Sequence, residues 1–331
     1  MIRGVKLRVD IIGDETKEYN YQVNVSIEPK VELLGVIQYL ANDPTIIQDS
    51  SEYSQDIANY FYDYVDNIII STYNELRKKG FAFHLPPKLM LYIDESLRLR
   101  DDIDVDEDLI KVFGNKSEIN KFLILLKNFE EESKFNDFYK NHYRFYNDAI
   151  SYVRNKLCES NCINNLISYY GFAQNSYNII IQPLSIGGYA VRIPTIKDTF
   201  DSYNFMKIPE NTIDFVSLIL HEFGHTYVNP LTRENIEAVN KYSYLFEEIR
   251  DSMLRQAYPT WELCVNEHVV RAITNRILFN MYGEKVSELR IKNDLVQNFK
   301  YINVVCERLL KYESERFRYL IFNDFYTGLF V

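Results

Sequence analysis

His221-Glu222-Phe223-Gly224-His225 sets two histidines four positions apart, with a glutamate directly after the first. At 3.6 residues per turn, positions i and i+4 share one helix face, so both imidazoles can reach a single metal ion. Glu222 lies about 100° further round and can act as a base toward water without becoming a ligand. That combination is the chemistry of zinc-dependent hydrolysis, with His221 and His225 as metal ligands, Glu222 as the catalytic residue and one Zn2+ per chain as cofactor. The competing reading is a buried amphipathic helix that carries two incidental histidines.

The residues before the motif, Asn211 to Leu220, open with N-cap candidates and an acidic first turn and then run apolar. Val216, Ile219, Leu220, Phe223 and Tyr227 form one stripe, and Asp214, Ser217, His221 and His225 follow another. Asn229-Pro230 is expected to stop the helix. A glycine within a helix costs about 1 kcal/mol relative to alanine, so Gly224 implies something packed closely against the backbone.

A catalytic zinc takes three protein ligands, which calls for one more His, Asp or Glu. The segment Thr260 to Ala272 reads as a second helix, with Pro259 and Thr260 at its start and Gly283 past its end. It offers Glu262, Glu267 and His268. Glu267 falls beside the apolar stripe of Val265, Val269, Ala272 and Ile273, with Arg271 one turn later on the same side. A carboxylate facing an apolar interior needs a partner, and a metal with Arg271 as support behind it would supply one. Against this stands an ordinary Glu267–Arg271 surface pair.

At these residues the chain resembles a bacterial family of unassigned function classed with the zincin metallopeptidases of the glutamate type. His221 to Leu231 (HEFGHTYVNPL) and Glu267 to Ala272 (EHVVRA) carry the likeness, which extends to Val31 to Gly35 and Gln182-Pro183-Leu184. It implies Glu267 as third ligand from the second helix and a peptide or protein as substrate. The tetrahedral intermediate of such a reaction needs a donor from outside the ligand set. Tyr258 and Tyr189 are candidates among 27 tyrosines. Tyr177 to Gln182 and Tyr189 to Ile193 read as two strands joined through Pro183 to Gly188. Such a strand could pair with an extended substrate, and Gly187-Gly188 would let a peptide backbone approach; a plain hairpin turn is the alternative.

The 331 residues can bury a large core, and aromatics at 15% fit a packed interior. A net charge of −10 argues against nucleic-acid binding. No apolar run reaches the ~18 residues of a membrane span, and no signal-peptide core opens the chain. It reads as cytoplasmic, although a secreted protein trimmed of its leader would read the same. Cys158, Cys162, Cys264 and Cys306 are expected as free thiols. His84 and His142, alone among aromatics, read as core or surface histidines.

Val5 to Ile12 and Tyr19 to Ile27 alternate around Gly13 to Thr16, which predicts a β-hairpin. From Val31 to Tyr170 the pattern is helical, with core-facing helices over Ile57 to Val65 and Ile119 to Leu126. After Thr212 helix returns. The expected fold is α+β and helix-dominated, with a hairpin and helical region over 1–172 and a zincin-like catalytic region over 173–331 that holds a small sheet beside the motif helix. Two other functions fit the same residues: a scaffold that binds but no longer cleaves, and a zinc-dependent hydrolase of a non-peptide amide.

Overall fold

The computed structural model describes residues 6–9, 17–49, 51–195 and 199–330. Helices dominate, around a small mixed sheet, so the chain is α+β. Strands β1 (Lys6–Val9) and β2 (Lys17–Asn20) pair antiparallel as a separate two-stranded sheet. The turn expected at Gly13 to Thr16 lies outside the described residues. The second strand expected there does not run through to Ile27. It breaks at Tyr21, which is buried and donates its hydroxyl to Asn164 Oδ1 at 2.6 Å.

Beyond that break, β3 (Gln22–Ser26) joins β4 (Ser176–Ile181), β5 (Gly188–Pro194) and β6 (Phe200–Met206) in the order β3-β4-β6-β5. The β3–β4 and β4–β6 pairs are parallel, and β5–β6 is antiparallel. Between β3 and β4 the chain makes nine α-helices among the described residues, a long crossover of the kind that parallel pairing requires. The two expected core helices lie within Glu52–Tyr60, followed by a 3-10 turn, and within Lys116–Glu132. Ile57, Phe61, Ile119, Phe122 and Leu126 are buried there.

The pairing expected between Tyr177 to Gln182 and Tyr189 to Ile193 is not made. Both strands exist, but β6 lies between them. Two backbone hydrogen bonds carry the connecting loop sideways: Ile47 N–H donates to Leu184 O at 2.6 Å, and Ile186 N–H to Thr45 O at 3.1 Å. Strand β6 hides from pattern reading because it buries Ser202 and Asn204 completely at its centre. The result leaves β5 on the edge of the sheet, alongside the helix that carries the histidines.

One hydrophobic core runs from Tyr21 to Leu329 and spans both sides of residue 172. Its helical part encloses a carboxyl group. Glu32 is 3% exposed in helix Pro29–Leu40 and accepts from Tyr53 Oη at 2.8 Å. Burial pushes its pKa up to about 7, against the pull of the Tyr53 hydrogen bond. A raised carboxyl pKa means that the fold favours the protonated form. The stabilisation is complete below the unfolded value of 4.5 and is lost as pH rises through about 7. Glu32→Gln should therefore raise the melting temperature at pH 8, by an amount worth on the order of 3 kcal/mol, and should change it little at pH 4.5. Thermal melts of both proteins check this, and an equal offset at the two pH values would contradict it.

Candidate metal centre

The motif helix, Thr212–Glu234, begins where Asn211 accepts the Asp214 N–H at 2.9 Å through its side chain. Phe215, Val216, Ile219, Leu220, Phe223 and Tyr227 are buried, as their spacing implies. Tyr170 stacks on Tyr227 with ring centroids 4.1 Å apart, and Tyr227 donates to Phe172 O at 3.1 Å. The stop expected at Asn229-Pro230 does not occur. Pro230 sits inside the helix, which runs on to Glu234. An interior proline costs about 3 kcal/mol. Here the following turn buries Leu231 and Thr232, and Thr232 shares a hydrogen bond with Tyr326 Oη at 2.5 Å. Tertiary packing outweighs the local penalty.

The second helix, Trp261–Tyr282, starts where Thr260 Oγ1 accepts the Leu263 N–H at 3.3 Å, and it ends at Gly283, whose φ is +86°. The two helices touch at Gly224. A Cβ there would lie 3.1 Å from Val270 Cγ1 and 3.3 Å from Tyr170 Oη, so glycine sets how closely the helices approach. That approach brings Glu267 opposite the histidines.

His225 Nε2 lies 3.2 Å from His221 Nε2 and 3.1 Å from Glu267 Oε1; His221 Nε2 lies 3.7 Å from Glu267 Oε2. Tetrahedral zinc with bonds of about 2.0–2.1 Å separates its donor atoms by about 3.3 Å, and these separations lie near that value, with one atom of each residue within 4.8 Å of the others. His221, His225 and Glu267 form the one cluster of three potential ligands found among the described residues. The two histidine side chains remain 16% and 15% exposed, so the open side of the site is reachable.

Charge within the site follows from burial. Burial works against a charged His225, but the Glu267 carboxylate, helped by Glu222, overcomes it and pushes the pKa up to about 9. His221 is held well below its ordinary range, first by burial and then by repulsion from His225, despite attraction from Glu267. Burial opposes ionisation of Glu267, yet His225, His221 and Arg271 hold it well below the usual carboxylate range. Glu222 is pushed up to about 7 by burial, and His225 and the Ala190 backbone amide pull the other way. The site therefore holds a carboxylate against one imidazolium, which is the charge arrangement a bound cation would replace.

Outer partners orient the ligands. Asn229 Oδ1 lies 3.1 Å from His225 Nδ1. Arg271 Nε donates to Glu267 Oε2 at 3.2 Å, and its Nη1 donates to buried Asp294 at 2.7 Å. The Arg271 guanidinium lies over the Phe299 ring, 3.9 Å from its centroid. The Glu267–Arg271 pair is thus a buried link in a network and not a surface pair. Sequence reading missed Asn229 because it was taken as a helix stop, although its i+4 offset from His225 was a usable signal. Asp294, 23 residues beyond Arg271, left none.

The other candidates divide. Tyr258 is brought to the site, close enough to interact with Glu267 and Arg271. Tyr189 lies near Glu222, but its hydroxyl bonds with Thr45. Gly187 is open. At Gly188 a Cβ would lie 2.9 Å from Leu218 and 3.0 Å from Glu222 Cγ. The motif helix is thus one group that Gly188 lets approach closely. His268 Nδ1 pairs with Cys264 O at 2.8 Å, and burial lowers its pKa to about 4. His268 and Glu262 stand outside the cluster. His142 pairs with Asp56 at 3.0 Å, away from the site.

A cleft of about 750 Å3 opens beside His225. Its lining includes residues of the motif helix between His225 and Arg233, of β5 from Ala190 to Pro194 with Thr195 beyond it, and of the segment Asp102 to Asp108 with His84. All four cysteines are free. No described helix is long and apolar enough to cross a membrane.

Arg271→Met should keep the fold but release one side of Glu267. Affinity for a divalent transition metal is expected to fall by about ten- to hundredfold, read by competition with a chromophoric chelator. Unchanged affinity would show that Arg271 does not orient the carboxylate.

No curated protein and no solved structure matches the chain. A family model matches residues 23–331, which takes in both helices, all three cluster residues and the four-stranded sheet from Val23 onward. The chain belongs to the family described as Domain of unknown function (DUF4932).

Proposed function

We propose that this protein is a zinc-dependent metallopeptidase of the glutamate-type zincins, with His221, His225 and Glu267 holding one Zn2+ and Glu222 as the base. The observation that carries the reading is the convergence of two Nε2 atoms and one carboxylate at tetrahedral spacing, with Glu222 next to them in the motif but outside the ligand set. When bound, zinc supplies a Lewis acid that polarises a carbonyl and makes water more acidic.

The protein's own groups do the rest. The Glu222 carboxylate takes a proton from the attacking water and later gives it to the leaving amine. Burial raises its pKa toward neutrality, which favours a group that can both take up and release a proton. The Ala190 amide steadies the Glu222 carboxylate, and the close approach at Gly188 keeps β5 against it. Tyr258, which interacts with Glu267 and Arg271, is a candidate donor to the oxygen that becomes negative. An extended peptide laid along edge strand β5 would pass the cluster and continue into the cleft. A long cleft beside a sheet edge favours a peptide over a small amide.

Glu222→Gln should retain metal and fold while peptide hydrolysis falls by about 10²–10⁴-fold. The assay is mass-spectrometric detection of cuts in a peptide mixture by the zinc-loaded protein. A fully active variant would overturn the assignment of Glu222.

A further inference from the structure

Arg192 projects from the edge strand into the cleft and is half-buried, with its guanidinium carbon 3.7 Å from the centroid of Phe200. A guanidinium held over an aromatic face keeps its in-plane N–H donors available. Arg233, exposed in the last turn of the motif helix, lines the same cleft. Neither has an ion-pair partner among the described residues. Burial disfavours the Arg192 charge, Arg233 repels it, and Glu234 attracts it from beyond ion-pair distance.

The acidic residues of the cleft lining differ. Asp106 is paired with Lys88 at 2.8 Å, Asp104 with Lys116 at 3.1 Å and Asp102 with Arg100 at 2.5 Å. Among the described residues, the charge left without an ion-pair partner beside β5 is therefore cationic, whereas Glu107 and Asp108 add acidic groups to the cleft lining. Arg192, half-buried and without an ion-pair partner among the described residues, carries a desolvation cost that a bound carboxylate would relieve, and Arg233 adds a second guanidinium in the same cleft.

We propose that Arg192 and Arg233 form an anion subsite that takes an acidic side chain of the peptide laid along β5, so that the enzyme selects substrates by a carboxylate near the cut. This rests on the peptidase reading. The fold fixes the offset. Arg192 is two residues along β5 from Ala190, the strand residue that contacts Glu222, which is about 7 Å. Arg233 is eight residues along the motif helix from His225, which is about 12 Å. At about 3.3 Å per extended residue, the acidic side chain falls about two to four residues from the scissile bond.

The test digests a proteome-derived peptide mixture with the zinc-loaded full chain and reads cut sites by mass spectrometry. The wild type should enrich Glu and Asp at one position within that window. In Arg233→Glu, which changes an exposed side chain, and in Arg192→Gln, the enrichment should fall at least about tenfold, with Lys gaining at that position in Arg233→Glu. Cuts with no acidic preference, or a preference unchanged in both variants, would overturn the subsite and leave the peptidase standing. If the wild type cuts nothing, the peptidase reading fails, and fluorescence anisotropy decides the subsite. A labelled Glu-containing decapeptide should then bind at least about tenfold more tightly than its Gln counterpart and lose that advantage in Arg233→Glu. Equal binding of the two peptides would overturn the subsite as well.

Discussion

Glu267 is a carboxylate only 6% exposed, held well below the usual carboxylate range by His225, His221 and Arg271. An isolated carboxylate in such a place would take up a proton, because desolvation costs more than the fold can spare. Here His225 shares the charge from the motif helix and Arg271 from its own helix, while Asp294 holds Arg271 in turn. The chain from His225 through Glu267 and Arg271 to Asp294 links the motif helix, the Trp261–Tyr282 helix and helix Glu284–Val296. Removing one member would leave its neighbour in the network with one partner fewer. A cation bound between these side chains would take the place of the proton that His225 holds against Glu267.

The scaffold's less regular features serve that convergence. Gly224 removes the side chain that would hold the two helices apart, and Gly188 does the same between β5 and Glu222. The turn beyond Pro230 is kept helical by Leu231 and Thr232, and it carries Arg233 to the cleft. Inserting β6 between β4 and β5 moves β5 to the edge of the sheet, where its backbone is available to a second strand.

The centre of the site was legible in the sequence because its signals are local. His221, Glu222 and His225 lie within two helical turns, and Glu267 and Arg271 repeat the same i, i+4 logic one helix later. Both helix starts were visible from capping residues, at Asn211 and Thr260. What stayed hidden depends on contacts between distant segments. Proline chemistry at position 230 argued for a stop that tertiary packing overrides. The polar centre of β6 masked a buried strand, and the order of β4, β5 and β6 is set by loop bonds from Thr45 and Ile47 that no pattern announces. Asp294 and the Arg192–Arg233 pair have no motif at all and emerge only when the fold places them.

The most direct test of the metal centre is zinc content by inductively coupled plasma mass spectrometry on the untagged wild type, beside His225→Ala and Glu267→Ala. The account expects about one zinc per chain in the wild type, none retained in His225→Ala and a reduced amount in Glu267→Ala. A wild type that holds no zinc after incubation with excess metal would contradict it, and would leave the three converging side chains as a buried ion-pair network alone.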